Sequence, residues 1–431
     1  MQAAVMTARI VDQQETGAAG AAAPAPGRNR RVVFAIGHMG PGGAQRVVAN
    51  AANSLVERGL EMHIVTISRT PADAYQLDPA VVRHRLSGLP PPDPTRAAAP
   101  AGSAEALPER RRGPVKQTLR PAVLLAFAAR EQAKRLRALL RRRAVPAALV
   151  RQMRKEIRAI DPDCVVSFLT RTNIIVLLAT RRLSVRTLVS ERNDPRLQRQ
   201  GRAIEAARRF LYRRASLVTA NTRGALAAMT DYVPKERLAF LPNPLAVPAD
   251  RSIAEFHTPT FLTVARLVEQ KGIDTLLRAA AGALPELPGW RLAIVGDGPL
   301  RSQLQALGKE LGVDDRIDWI GHVDDPFPYL RAARFFVLPS RFEGSPNALL
   351  EAMSCGLASI VTDASPGPLE LVGDDRAGLV VPVDDWQAMS RAIVTLARDE
   401  QLRDRLSAGA FELSRPHLPE TALGTWLEII A

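Results

Sequence analysis

The sequence predicts two doubly wound α/β domains facing one another across a cleft, and three observations carry that expectation. Short β-branched runs alternate with amphipathic stretches at a spacing that suits parallel sheets with helices on both faces. The alternation stops at a proline-rich stretch, AFLPNPLAVPADRS, and then begins again. At 431 residues the chain is also too long for one ordinary core.

The strands of the first array are expected in RVVFAI, MHIVTI, CVVSF, TLVS and SLVTA, with helical stretches such as GAQRVVANAANSLVERG between them. Those of the second are expected in FLTVA, RLAIVG, IDWIG, FFVLPS, LASIVT and GLVVPV. The boundaries that follow are a disordered Ala/Gly/Pro-rich tail at 1–28, a first Rossmann-like domain at 29–245, a second at 246–415 and a closing helix at 416–431. In open α/β sheets ligands bind beyond the carboxyl ends of the strands, so the loops after these runs are where a site belongs.

One segment breaks the rhythm, a basic insertion at about 90–150 that opens Pro/Ala-rich and turns arginine-rich. Residues 110–158 hold 16 Lys and Arg against two acids, Glu131 and Glu156. Leu124, Phe127, Leu136, Leu139 and Leu140 fall near helical spacing with arginines opposite. The formal charge of +14 is uneven: residues 1–247 carry 41 basic and 18 acidic side chains, residues 248–431 carry 17 and 26. An anionic surface is the expected partner of the first half. A basic amphipathic helix lies on an anionic bilayer at about 1 kcal/mol per basic residue near the surface; a plain surface helix packed on the first sheet is the simpler reading. Nucleic acid is not expected, since no aromatic residues interleave the arginines for base stacking.

No stretch is long and apolar enough to span a bilayer, and the N-terminus lacks the basic start and apolar run of a secretory signal. Cys164 and Cys355 sit in apolar surroundings and read as buried free thiols. No Cys/His cluster has metal spacing. The acidic pairs Asp314-Asp315, Asp324-Asp325, Asp374-Asp375 and Asp384-Asp385 read as helix starts and solvated turns, so no metal site is expected.

Three loops are candidates for a ligand. The first, GHMGPGGAQRVV, places Gly37, Gly40, Gly42 and Gly43 ahead of a helix, where backbone can approach a ligand and the helix start favours anions. It is not G-x-G-x-x-G in register, and the next strand ends without the acidic residue that grips a ribose, so a nicotinamide cofactor is not expected. The second, FLTVARLVEQKGIDTLLRA, puts Arg266 and Lys271 in one loop after a strand, a pair able to clamp a diphosphate. The third, RFEGSPNALLEAMSCGLASI, carries Glu343 and Glu351 eight positions apart, with Ser345 expected as helix N-cap and Pro346 at the first helical position. At about 1.5 Å of rise per helical residue the two carboxylates are too far apart to share one proton or one metal ion. They suit two ends of one elongated ligand with a helix start between them.

Taken in order, the Gly-Gly loop, VARLVEQKG, GDGP, VLPSRFEG and Glu-x7-Glu in EGSPNALLE resemble the retaining glycosyltransferases of the GT-B fold, more narrowly glycosyltransferase family 4, over roughly residues 31–400. SERNDP and TDASPGPLEL resemble a subgroup that adds hexoses or N-acetylhexosamines to lipid-linked saccharides. The resemblance implies Glu343 beside the donor sugar and its reacting centre, Glu351 on the ribose hydroxyls of the nucleotide, and the backbone of Gly344, Ser345, Pro346, Asn347 and Ala348 facing the diphosphate and sugar. Arg266 and Lys271, with the amides of Gly42 and Gly43, would stabilise the departing phosphate without a divalent metal or other cofactor. A histidine usual near the end of the fifth strand is replaced by LVSERND, so Glu191, Arg192 or Asn193 is expected to serve there. The implied enzyme uses a nucleoside-diphosphate sugar, UDP-linked by expectation. Its acceptor is a lipid-linked saccharide, and it sits at the cytoplasmic face of the membrane on its basic first domain. Alternatives are the same fold acting on a soluble acceptor and, below that, an inert scaffold subunit.

Overall fold

A computed structural model of the chain describes residues 30–68, 73–86, 146–196, 200–245, 247 and 259–430. The predicted tail at 1–28, and the insertion up to residue 145 with Leu124 through Leu140, lie outside the described residues. Two all-parallel sheets form, as the two arrays predict. The first joins β1 (Arg31–Ile36), β2 (Glu61–Thr66), β3 (Val82–Arg85), β4 (Cys164–Phe168), β5 (Arg186–Glu191), β6 (Leu217–Ala220) and β7 (Leu238–Phe240) in the order β3-β2-β1-β4-β5-β6-β7. The second joins β8 (Thr260–Val264), β9 (Arg291–Val295), β10 (Ile317–Gly321), β11 (Phe335–Leu338), β12 (Ala358–Thr362) and β13 (Gly378–Val381) in the order β10-β9-β8-β11-β12-β13.

Parallel strands covered by helices on both faces are buried throughout. β1, β4, β11 and β12 accordingly read as mainly apolar runs, buried along nearly their whole length, and their apolar side chains fill a core on each side of each sheet. The two strands the sequence did not announce are β3 and β7. Both are short edge strands, VRHR and LAF, and β3 is polar; edges need no apolar run because one side faces no neighbour. Cys164 and Cys355 are buried, and burial pushes both thiols up to about 12.

In each sheet the winding direction reverses between two neighbouring strands, β1 and β4 in the first and β8 and β11 in the second. Crevices open at such switch points. The loops after β1, β8 and β11 are the three that the sequence marked.

After the second domain the helix Pro419–Ile430 returns to the first and packs into the core beside β1 and the helix Gly43–Val56. Trp426 is fully buried there, its ring against Phe34 and Phe168 and its Nε1 donating to the Pro242 carbonyl at 2.9 Å.

Candidate active site

The loop after β8 carries Arg266 and then a 3-10 turn, Glu269–Lys271, that ends at Gly272. Gly272 has φ 61°, and a Cβ there would stand 2.1 Å from the Pro339 carbonyl oxygen. Only glycine lets this loop press against the start of the β11 loop. That contact brings Lys271 to Glu343: its Nζ bonds Glu343 Oε1, which also accepts from Ser340 Oγ at 2.7 Å. Ser365, from the loop after β12, grips the Glu343 backbone, donating from Oγ to the carbonyl at 2.7 Å and accepting from the amide at 3.3 Å. Glu343 is 7% exposed and held on three sides. Arg266 is exposed.

The helix after this loop begins one residue later than predicted. It spans Asn347–Ser354, with Pro346 as the extended N-cap and Ser345 outside it. The physical reason is an inter-domain bond. The Ser345 carbonyl accepts from Asn243 Nδ2 at 3.3 Å across the cleft, so the first intrahelical acceptor is the Pro346 carbonyl. The Ser345 hydroxyl has no protein partner, although it is buried. Ala348 sits in the first turn, where helix amides lack intrahelical acceptors.

Glu351, a turn further along, is 1% exposed. One oxygen meets Arg46 Nη1 of the first domain at 2.7 Å; the other, Oε2, has no partner. Burial raises its carboxyl to about 7, and the Arg46 charge opposes that rise without cancelling it. An acid whose folded pKa lies above its unfolded one carries an unfavourable contribution that grows as pH rises between the two. Stability relative to a Glu351→Gln variant should therefore fall from about pH 4.5 to about pH 7. The unfolding temperatures of the two proteins across that range give the measurement; a constant difference would show that Glu351 ionises as freely folded as unfolded.

On the facing side, Gly43 opens the helix Gly43–Val56 behind an N-cap at Gly42. The Gly42 amide, expected to face a phosphate, donates to the Tyr75 hydroxyl at 3.1 Å, and that hydroxyl donates back to the Gly42 carbonyl. The anion-facing capacity of this loop therefore rests with Gly43 and the amides that follow it. The Gly43 carbonyl accepts from Asn347 Nδ2 at 3.4 Å, so two residues 304 positions apart meet across the cleft.

The SERND segment divides. Glu191 is buried, its carboxylate accepting from the Tyr212 and Thr170 hydroxyls. Arg192 is 5% exposed, and its guanidinium lies 5.4 Å from the Phe168 ring centroid and 5.5 Å from that of Trp426. Its Nη1 donates to Leu241 O and to Asn243 Oδ1 at 2.9 Å. Burial lowers it to about 9, and Nε and Nη2 have no protein partner. Arg192 thus orients Asn243, whose Nδ2 then holds Asn347 Oδ1 at 2.7 Å. The Asn193 side-chain oxygen and the Arg192 carbonyl lie directly against Gly344: a Cβ at Gly344 would be 2.3 Å from that carbonyl.

The functional-site residues that sequence reasoning missed are Arg46, Asn243, Ser340 and Ser365, together with Glu370. The Glu370 carboxylate accepts from the amides of Arg223 and Gly224, both at 2.6 Å, and so adds a further tie between the domains. Asn243 had one signal, a polar residue inside the proline-rich linker. Among the described residues no group of His, Cys, Asp and Glu could hold a metal ion. Asp325, Asp385 and Asp384 instead bond the Phe327 amide, the Ala388 amide and Arg341.

Residues 42–244 match the family model described as Glycosyl transferase 4-like domain, and residues 250–413 match Glycosyl transferases group 1. An exopolysaccharide phosphotransferase of Streptomyces coelicolor is 34% identical over 195 residues, which is 45% of this chain and only 20% of that protein. An N-acetylgalactosaminyltransferase of Campylobacter jejuni, named for a diphospho-undecaprenol-linked saccharide, is 29% identical over 59% of this chain and 72% of its own length. Among solved structures, HepE of Anabaena in complex with UDP superposes with a TM-score of 0.65 at 16% identity, covering 93% of this chain and 99% of that one.

Proposed function

The chain belongs to the group 1 glycosyl transferases on a two-domain GT-B frame, and from that premise we propose a retaining enzyme of cell-surface polysaccharide or glycoconjugate assembly. It moves a hexose or N-acetylhexosamine from a UDP-sugar to a lipid-linked saccharide. One observation supports the reading above the others: Lys271 and Glu343 meet at the switch point of the second sheet, in the loop whose Asn347 touches Gly43 of the first. A ligand entering the cleft there would meet a cation, a carboxylate and two helix starts.

Breaking the bond between sugar and diphosphate puts negative charge on the leaving phosphate while the sugar becomes oxocarbenium-like. Fixed donors aimed at that charge lower the barrier. Arg266, Lys271 and the amides from Gly43 onward fill this role, so no divalent metal is required. Glu343 stabilises the cationic sugar centre rather than attacking it, because Oε1 already accepts from Lys271 and Ser340. Retention then follows from attack on the same face, with the leaving phosphate taking the acceptor's proton. Glu351 would exchange Arg46 for the ribose hydroxyls when the nucleotide enters. The C. jejuni relative's lipid-linked substrate and the basic first domain support an acceptor held at an anionic membrane surface.

The test is a nucleotide-release assay with purified protein, UDP-sugars and an undecaprenyl-diphosphate-linked saccharide, run with and without chelator. Release that needs the lipid-linked acceptor and persists in chelator is the expected result. Unchanged turnover in both Glu343→Ala and Arg266→Ala proteins would overturn the mechanism, and equal turnover on a free glycan would move the acceptor to the soluble class.

A further inference from the structure

Away from the cleft, the first domain has a hollow of about 250 Å³ that the mechanism does not use. Thr187 is the second residue of β5 and Ser216 immediately precedes β6, so the hollow lies at the amino ends of these strands, on the side opposite the carboxyl-end loops. Its polar lining is Thr180, Arg181, Arg182, Thr187, Arg214 and Ser216. Three arginines, all exposed, line this one small volume with Ser216, while the Thr180 and Thr187 hydroxyls donate to the Val176 and Val185 carbonyls; among the described residues no carboxylate lines it.

Like charges gathered without a counter-charge raise the energy of the empty site, and an anion relieves it. At Arg214 the pKa is lowered, by desolvation first and then by the Arg181 charge. The helix Thr170–Ala179 ends beside the hollow, and its carboxyl end would by itself repel an anion. That repulsion is removed by Arg154, which donates from Nε to Ala179 O and from Nη2 to Leu178 O, both at 2.8 Å. Arg154 belongs to the helix Ala147–Ile160, which exposes Arg151, Lys155 and Arg158 and buries Leu149, Met153, Ile157 and Ile160. Ser216 Oγ accepts from the Thr187 amide at 3.2 Å, which leaves its own proton to donate outward.

We propose that this hollow is a second ligand site, which binds a phosphate group through Arg181, Arg182, Arg214 and the Ser216 hydroxyl. A phosphodiester lipid headgroup and a free phosphate share the chemistry it recognises: a tetrahedral anion that accepts forked guanidinium bonds. The volume exceeds that of one phosphate and leaves room for the start of its ester substituent. The site is separate from the cleft, so it stands or falls independently of the donor reading above.

The experiment compares the full chain with an Arg181→Gln/Arg182→Gln/Arg214→Gln variant and with a charge-matched control, Arg151→Gln/Arg158→Gln/Arg202→Gln. Binding is read on vesicles of phosphatidylglycerol in phosphatidylcholine, and by thermal shift with inorganic phosphate and with glycerol 3-phosphate. Near-surface basic residues each add enough attraction that losing three in a built site should weaken vesicle binding at least about tenfold, with the control losing clearly less. Loss in the vesicle arm identifies a lipid headgroup; a phosphate-induced shift confined to wild type and control, without vesicle loss, identifies a free phosphate. Equal losses in the two triple variants, or no loss in any arm, would overturn the proposal. UDP-sugar turnover on a detergent-dispersed acceptor should be the same in all three proteins, which separates failure here from failure of the cleft.

Discussion

Lys271→Ala is expected to lower kcat by about 10²–10³-fold, the loss typical when one fixed donor to a developing oxyanion is removed. The side chain has two jobs that alanine ends together. Its charge would face the departing diphosphate, and its bond to Glu343 holds a carboxylate that is only 7% exposed. Without Lys271 that carboxylate keeps Ser340 Oγ and loses its counter-charge, which leaves a buried negative charge unpaired and free to shift away from the place where a cationic sugar centre would form. Lys271→Arg keeps the charge but replaces a compact ammonium by a planar fork, and should recover part of the rate. Steady-state nucleotide release resolves the two effects: a fall in kcat with little change in KM marks an interaction made in the transition state. A kcat within twofold of wild type would remove Lys271 from the chemistry.

Trp426→Ala should destabilise the first domain by about 3–5 kcal/mol, as large-to-small changes at fully buried aromatic sites do. The indole fills the space between Phe34, Phe168 and the Arg192 guanidinium and donates to the Pro242 carbonyl. Alanine would leave a void, an unpaired carbonyl and a buried cation with one aromatic face in place of two. The consequence travels to the cleft, because Arg192 orients Asn243, and Asn243 holds Ser345 and Asn347. Differential scanning calorimetry can follow the two domains, whose unfolding need not be one transition. The first-domain transition should move down while the second stays; Trp426→Phe should restore the packing and not the bond to Pro242. If both transitions were unmoved, the C-terminal helix would not be part of the first domain's core.

The sequence revealed most of the frame for a physical reason. A parallel sheet covered on both faces demands near-continuous apolar strands, so eleven of the thirteen described strands announced themselves; β3 and β7, at the edges of the first sheet, are short and only partly buried and did not. Arg266, Lys271, Glu343 and the glycines stood out as candidates because they sit in loops after strands, where ligands bind in this fold class.

Composition and periodicity by themselves determined two α/β arrays and the basic character of the first half, and they pointed to three loops as candidates for a ligand. Only the tertiary structure decided that Pro346 rather than Ser345 caps the helix, that Gly42 gives its amide to Tyr75, that Arg192 lies in the core behind Asn243, and that Arg46 meets Glu351. The reason is range. Local pattern fixes what one strand or helix must bury, whereas each of these contacts joins residues far apart in the chain, and no local rule reports which distant group will claim a given carbonyl, amide or charge.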